Sequence, residues 1–212
     1  VIAGTGSNAT DEAIEFTRHA RWAGADAALI ITPYYNKPTQ EGLYRHHKAI
    51  AEAVDIPQIL YNIPGRTAVN MAPATVARLA TVKNIVGIKE GAGSLQQVSE
   101  IVQACGDRFT VLAGDDALTL PMMAVGATGV ITVTANVAPA EMAALVDAWE
   151  AGNVAGARAL HFKLYPLFQA LFFETNPIPV KHALALMGRA TADVRLPLCA
   201  MSQENLDKLT RV

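Results

Sequence analysis

Short apolar runs alternate with amphipathic stretches along the first two thirds of the chain. Six runs rich in β-branched residues predict strands, at residues 1–6, 27–34, 58–64, 85–91, 109–116 and 129–136. The runs are nearly continuous in apolar residues, which is typical of strands that are covered on both faces. Their spacing of roughly 20 to 30 residues is that of βαβ units, so the pattern predicts a parallel sheet.

The stretches between these runs predict helices. In the first of them, residues 8–24, Asn8 or Thr10 is expected to cap the helix and Gly24 to end it. From about residue 140 the strand pattern stops, and the remaining chain predicts helices that the two prolines of NPIPV interrupt. The pattern therefore predicts an α/β fold followed by a helical carboxyl-terminal region.

Polar and reactive residues gather at the carboxyl ends of the predicted strands. They are Thr5, Ser7, Tyr34, Tyr35, Tyr61, Asn62, Lys89, Glu90, Asp115, Asp116, Thr134 and Asn136. Open α/β sheets and (β/α)₈ barrels both have their functional sites at this edge. This polarity of the strands indicates an enzyme.

Composition narrows the classes of function. The net charge is −2 and there is no basic run, so nucleic acid is not an expected partner. The sequence has no apolar stretch long enough to span a membrane, and Cys105 and Cys199 lie far apart without a CxxC motif. Both cysteines are predicted to be free thiols of a cytoplasmic protein. The five histidines share no ligand spacing, so no metal is expected.

Two further motifs admit a functional and a structural interpretation. GTGSNA, residues 4–9, matches the dinucleotide pattern G-x-G-x-x-A, but Asp26 precedes the next strand instead of following it. A tight turn between strand and helix is therefore favoured over nucleotide binding. Asp115 and Asp116 could form a cation site, but capping a helix or holding a loop is favoured for a lone acidic pair.

Lys89 is the strongest catalytic candidate. Ile85, Gly87 and Lys89 share one face of their predicted strand, while Val86 and Ile88 share the face expected to meet the helices. Pairing of Lys89 with Glu90 is disfavoured because neighbours on a strand face opposite sides; a lysine that extends outward into solvent is the other alternative. A lysine in an apolar pocket has a lowered pKa, and its neutral amine can form a Schiff base with a ketone.

Two residues near the preceding strand could complete this chemistry. The hydroxyl of Tyr61 could approach the amine of Lys89 across adjacent strands, which lie about 4.8 Å apart, and transfer protons. Arg66, just past that strand, offers a planar guanidinium for a carboxylate. Together the three side chains predict a Schiff-base enzyme that acts on a keto acid.

The sequence also resembles the dihydrodipicolinate synthase family of pyruvate-dependent class I aldolases. The resemblance is carried in order by IAGTGSNAT, TPYYNKPTQEGLYRHHKAIAE, LYNIPGRT, GIKEGAGSL, LAGDD, GVITVTANVAP and NPIPVK, which together span nearly the whole chain. YNIPGRT with GIKE is its most specific part. The sialic-acid lyase branch shares YNIP but typically lacks the following GRT.

The resemblance implies roles for individual residues. Lys89 resembles the Schiff-base residue for pyruvate, Tyr61 the proton donor and acceptor, and Tyr35 a relay residue that reaches into the site of a neighbouring subunit. Arg66 matches the position that binds the carboxylate of L-aspartate 4-semialdehyde. Ile131 matches a position whose main chain meets pyruvate, and Gly114 lies at the same rim.

The resemblance also implies regulation and partners. Asn8, Glu12 and Tyr34 match positions that hold the inhibitor L-lysine, although Glu12 also suits an ordinary first helical turn. The implied substrates are pyruvate and L-aspartate 4-semialdehyde, in the diaminopimelate route to lysine. The implied assembly is a homo-oligomer, commonly a tetramer, and the implied chemistry needs no metal or organic cofactor.

One departure from the family concerns its GTTGE motif, which this sequence lacks. The family is a TIM (β/α)₈ barrel, and six predicted strands are two too few. Since the chain also starts at Val1 inside a strand-like run, the first two β/α units are expected to be missing, and the chain as given is expected to be weakly active or inactive. The predicted division is residues 1–152, strands 3 to 8 of the barrel, and residues 153–212, a helical region.

Alternative functions remain open at this point. A related aldolase or lyase could cleave N-acetylneuraminate or a 2-keto-3-deoxy sugar acid. A catalytically idle homologue that serves in assembly or binding is the other possibility, and the presence of Lys89, Tyr35, Tyr61 and Arg66 together argues against it.

Overall fold

The computed structural model describes all 212 residues, Val1–Val212, with six strands and ten α-helices. The strands are β1 (Ile2–Gly4), β2 (Ala27–Ile31), β3 (Gln58–Asn62), β4 (Ile85–Glu90), β5 (Thr110–Ala113) and β6 (Gly129–Val130). The helices are α1 (Thr10–Trp22), α2 (Gln40–Ala53), α3 (Pro64–Thr67), α4 (Pro73–Leu79), α5 (Leu95–Cys105), α6 (Thr119–Ala124), α7 (Pro139–Glu150), α8 (Val154–Ala170), α9 (Ile178–Leu186) and α10 (Gln203–Thr210). Two 3₁₀ turns, Asp116–Leu118 and Thr134–Asn136, complete the secondary structure.

All six strands pair in parallel in one sheet, in the order β1-β2-β3-β4-β5-β6. Strand order thus follows chain order, as expected when each crossover returns a strand beside its predecessor. This confirms the predicted α/β fold with a parallel sheet.

The last predicted strand is wrong beyond Val130. The carboxylate of Asp116 accepts hydrogen bonds from the backbone N–H groups of Val133 and Thr134, at 3.3 and 2.8 Å, and from the Thr134 hydroxyl at 2.6 Å. These N–H groups are therefore unavailable to a strand ladder, and residues 134–136 form a 3₁₀ turn instead. The same contacts confirm the prediction that this acidic pair holds a loop.

The chain forms two compact units. The first consists of Val1–Asp115 and Pro121–Ile131, and the second of Asp116–Leu120 and Thr132–Val212. The first unit contains the sheet and helices α1 to α5. The second contains helices α7 to α10, and within it α7 packs against α8.

The core of the first unit brings α1 and α2 onto β2. Its buried cluster consists of Ala13, Ala28, Ile30, Ile50, Val54 and Ile56.

The predicted cap of α1 is wrong: Ala9 is the cap residue, and no side chain caps the helix. Asn8 instead donates to the Tyr34 carbonyl, while Thr10 already belongs to the helix and bonds His46. Gly24 ends the helix as predicted, with φ +88°.

The second unit is a helical cluster, as predicted for the carboxyl-terminal region. Its buried residues are Ala170, Leu171, Ile178, Val180, Ala183, Met201 and Leu209. The predicted break at NPIPV is confirmed, because α8 ends at Ala170 and α9 begins at Ile178.

Two predictions from composition can be compared with the structure. Cys105 and Cys199 are both free, as expected. Every helix is too short or too polar to cross a bilayer.

Candidate active site

Tyr61 on β3 and Lys89 on β4 are direct partners across the sheet. The Nζ atom of Lys89 lies 4.2 Å from the centroid of the Tyr61 ring, over its face. Both side chains are partly buried at the carboxyl edge of the sheet. The prediction that Tyr61 and Lys89 come together is confirmed. The alternative, in which the lysine extends away into solvent, is wrong.

A β-bulge makes this pairing possible. Gln58 pairs with Ile85, but Ile59 pairs with Gly87, so Val86 is the extra residue. Without the bulge, the register would place Tyr61 opposite Ile88 instead of Lys89. Val86 was predicted to pack beneath the helices and is instead 36% exposed, because the bulge removes it from the regular alternation; Ile88 is fully buried as predicted.

Arg66 lies close enough to Tyr61 for its positive charge to affect the pKa of the phenol. Burial raises the pKa of the Tyr61 phenol, and the positive charge of Arg66 opposes that rise. Arg66 sits in the short helix α3, which begins with Pro64 directly after Ile63. The buried hydroxyl of Thr67 donates to the Ile63 carbonyl at 3.2 Å and fixes this turn.

Gly114 and Ile131 extend the strand ladder at the same edge. The N–H of Gly114 donates to the carbonyl of Glu90 at 2.8 Å, and the N–H of Ile131 donates to the carbonyl of Ala113 at 3.0 Å. A Cβ on Gly114 would lie only 3.0 Å from the Glu90 oxygen, so glycine permits this close approach. Both predicted substrate residues therefore lie on the same edge of the sheet as Lys89, Gly114 after the adjacent strand β5 and Ile131 after β6.

Tyr35 is not part of this cluster within the chain. It lies in the loop after β2, its side chain is 89% exposed, and its backbone has φ +72°. Asn36 holds the loop by donating its N–H to the Tyr34 carbonyl and its side-chain amide to the Asn8 carbonyl, both at 2.9 Å. The loop thus presents the tyrosine outward.

The predicted effector residues are brought only partly together. The side-chain amide of Asn8 donates to the carbonyl of Tyr34 at 3.2 Å, so these two positions are neighbours. The carboxylate of Glu12 accepts a 2.6 Å hydrogen bond from the buried Ser7 hydroxyl. Glu12 is therefore held at the first turn of α1, four residues after Asn8.

The most notable residues that sequence reasoning missed lie behind the Lys89–Tyr61 pair. We call Asn62, Asn70, Glu90 and Gln97 the polar clamp, because their side chains form one hydrogen-bonded cluster on the opposite face of the sheet. Glu90 is 1% exposed and Asn62 is fully buried. Asn62 and Glu90 were already among the polar residues at the predicted strand ends, each directly after a site residue, but no signal in the sequence pointed to Asn70 or Gln97.

The whole chain, residues 1–212, matches the Dihydrodipicolinate synthetase family. The chain belongs to the dihydrodipicolinate synthetase family. A 4-hydroxy-tetrahydrodipicolinate synthase from Geotalea daltonii is 63% identical over all 212 residues, which correspond to 73% of that protein. This membership agrees with the predicted resemblance.

Solved structures of family members share the fold of this chain. Dihydrodipicolinate synthase from Aquifex aeolicus superimposes with a TM-score of 0.98 at 53% identity, covering 100% of this chain and 72% of the other. The enzyme from Acinetobacter baumannii, whose structure is a complex with pyruvate, has a TM-score of 0.97 at 48% identity, covering 99% and 72%. These relatives support the synthase over the lyase alternatives.

Proposed function

We propose that this protein acts as a 4-hydroxy-tetrahydrodipicolinate synthase, a lyase that joins pyruvate to L-aspartate 4-semialdehyde in the diaminopimelate route to L-lysine. The observation that carries the proposal is the amine of Lys89 over the ring of Tyr61, 4.2 Å from its centroid, at the carboxyl edge of a parallel sheet. Parallel α/β folds have their catalytic residues at this edge. Family membership supplies the substrates.

In this proposal, the neutral amine of Lys89 attacks the ketone carbon of pyruvate and forms a carbinolamine. Loss of water gives a protonated Schiff base, which draws electrons from the neighbouring methyl carbon. Release of a methyl proton yields an enamine, whose carbon attacks the aldehyde of aspartate semialdehyde. Attack of the product's own amine on the Schiff-base carbon closes the ring and returns the amine of Lys89.

Tyr61 is suited to move the protons of these steps. Its ring lies against Lys89, and burial raises the pKa of its phenol further above neutral pH. A protonated phenol can donate to the hydroxyl group that leaves the carbinolamine as water, and the resulting phenolate can take up the proton that the methyl carbon releases when the enamine forms. Arg66 next to it offers the guanidinium that we assign to the carboxylate of aspartate semialdehyde.

We assign pyruvate binding to the main chain at Ile131, with Gly114 forming the adjacent rim. Both continue the ladder on the strands that follow Lys89 in the sheet. The proposed reaction uses no metal or organic cofactor, because the covalent Schiff base is itself the electron acceptor. Asn8, Glu12 and Tyr34 are proposed to contribute to an L-lysine site, which their proximity supports.

The finer features of the fold belong to this proposal as well. We propose that the six strands correspond to strands 3 to 8 of a (β/α)₈ barrel within residues 1–152, followed by a helical region at 153–212.

We also propose a homo-oligomer, up to a dimer of dimers, in which Tyr35 acts in the site of a neighbour. One family structure is described as the first monomeric variant, so assembly needs its own test. A cytoplasmic location remains a prediction.

The central experiment is borohydride reduction of the intact protein in the presence of pyruvate, followed by peptide mass measurement. We expect a covalent adduct on Lys89, because reduction converts the Schiff base to a stable secondary amine. Lys89→Arg should abolish the adduct, since a guanidinium stays charged and is not nucleophilic. Exposed Lys83 offers a matched control, and Lys83→Arg should trap as well as the wild type.

An unmodified Lys89 in the wild-type protein would contradict the proposed function. The same assay tests Tyr61: Tyr61→Phe keeps the ring beside Lys89 but lacks the hydroxyl, so it should form the adduct about 10²-fold more slowly. An equal rate would remove the proton-transfer role of Tyr61 and leave that of Lys89 intact.

A further inference from the structure

The polar clamp joins the last residues of β3 and β4 to helix α5. Asn62 follows Tyr61, Glu90 follows Lys89, and Asn62 and Glu90 are themselves partners in the strand register. Because side chains alternate along a strand, both lie on the face opposite the catalytic pair. Asn62 and Glu90 therefore join β3 to β4 on the other face of the sheet, one residue after Tyr61 and Lys89.

The groups that bond the Glu90 carboxylate are all N–H donors. The side-chain amide of Asn62 donates to both carboxylate oxygens, at 3.2 and 3.0 Å, and that of Gln97 donates at 3.1 Å. The backbone N–H of Ala92 donates at 2.6 Å. Burial raises the pKa of the Glu90 carboxyl, and these donors oppose that rise. Such a set suits a carboxylate, which only accepts hydrogen bonds.

The remaining groups of the clamp are also paired. The carbonyl oxygen of the Asn62 side chain accepts from the N–H of Met71 at 3.0 Å, and its amide also donates to Asn70 at 2.8 Å. Asn70 in turn donates to Gln97 at 2.9 Å. Asn62 and Glu90 are the buried members of this network, and loss of either would leave buried polar groups of the other unpaired.

We propose that Glu90 is a positioning residue for the Schiff-base reaction: through its bonds to Asn62 it keeps the ends of β3 and β4 in register, and so holds Lys89 beside Tyr61. This inference rests on the proposed function of Lys89. Asn62 and Glu90 are the last residues of β3 and β4. Strand ends fray unless side chains secure them, and a 1 Å displacement of reacting groups can cost about 10²-fold in rate.

The first test replaces Glu90→Gln, which keeps the shape but places an NH₂ group among N–H donors. The readout is the rate of pyruvate adduct formation on Lys89 in the intact protein, by rapid-quench borohydride trapping. We expect a slowing of about tenfold or more, with unchanged circular dichroism. Glu100, exposed on α5, is the matched control, and Glu100→Gln should stay within about twofold of the wild type.

The second test reverses the polarity of the Asn62–Glu90 pair. In the double variant Asn62→Asp with Glu90→Gln, the new amide at position 90 donates to the new carboxylate at position 62. We expect trapping to recover to within about threefold of the wild type, although each single change slows it. Failure of the double variant to recover would overturn the role of the pair.

A third comparison applies even if Glu90→Gln does not fold. Gln97 is half-buried and donates to Glu90, whereas its neighbour Gln96 is exposed and bonds Glu100. We expect Gln97→Ala to slow trapping by about threefold and Gln96→Ala to leave it unchanged. Equal trapping rates in these two variants, or wild-type trapping by Glu90→Gln, would overturn the proposal. Absence of any adduct in the wild type would instead contradict the proposed function itself.

Discussion

At the scale of single residues, Tyr35 is the exception among the proposed catalytic side chains. Lys89 and Tyr61 contact each other within the chain, while Tyr35 is 89% exposed in a loop with left-handed backbone. A non-glycine residue with such a φ costs about 1–3 kcal/mol and persists only where its surroundings demand it. Here the bonds of Asn36 to the flanking backbone supply that constraint. An outward tyrosine suits a role in a neighbouring subunit.

Mixing two inactive variants tests this role of Tyr35. If Tyr35 acts across an interface, a hybrid of Tyr35→Phe and Lys89→Arg subunits contains one site with an intact lysine and an intact partner tyrosine. Random exchange between the two should restore roughly a quarter of wild-type turnover in a dimer, as measured by condensation of pyruvate with aspartate semialdehyde. Mixing Tyr35→Phe with a chain carrying both changes is the control and should restore nothing. If the first mixture stays inactive, action in trans is ruled out.

At the scale of elements, β4 carries the features that place the site. The bulge at Val86 sets the register that pairs Lys89 with Tyr61, and Gly87 follows it directly. A Cβ on Gly87 would come within 2.5 Å of the Thr110 carbonyl oxygen and 2.9 Å of the Thr110 Cβ. Glycine is thus required for β5 to approach β4 just below the catalytic lysine.

Gly87→Ala should therefore destabilise the fold. The added methyl group meets backbone, which cannot rotate away, so we expect a loss of about 1–3 kcal/mol in the free energy of unfolding. Urea denaturation followed by circular dichroism measures it. Gly65 has an ordinary φ and open space around its Cβ position, and Gly65→Ala should change stability by less than about 0.5 kcal/mol. If Gly87→Ala and Gly65→Ala unfolded at similar urea concentrations, the prediction would be wrong, because β4 and β5 could then move apart without loss of stability.

At the scale of the whole molecule, two buried histidines on α2 make stability depend on pH. Burial lowers the pKa of His46 to about 4, and burial together with the neighbouring His46 lowers the pKa of His47 well below its usual value. His46 bonds the Thr10 hydroxyl at 2.9 Å, and His47 is completely buried with neither ring nitrogen hydrogen-bonded.

Both histidines favour the folded state only while they are neutral. The unfolded chain takes up their protons near pH 6.5, whereas the folded protein does so only at lower pH, so stability falls as the pH drops below about 6.5. Between pH 7.5 and 5.5 we expect a loss of about 1.4 kcal/mol per buried histidine, measured from urea unfolding. His47→Leu should remove one histidine's share, and the exposed His19→Gln should remove none. A pH dependence unaltered by His47→Leu would contradict this account.

The sequence by itself determined the order and direction of the six strands, because apolar runs at βαβ spacing allow few other arrangements. It also made Lys89 and Tyr61 candidates for a site, because reactive side chains at the ends of buried strands are costly without a function, and it added Arg66 just past the strand that carries Tyr61. Only the tertiary structure decided that Lys89 stands opposite Tyr61, since a one-residue bulge sets that register and leaves no periodic signal. It alone also revealed the clamp around Glu90, because its members are distant in sequence and meet through long-range packing.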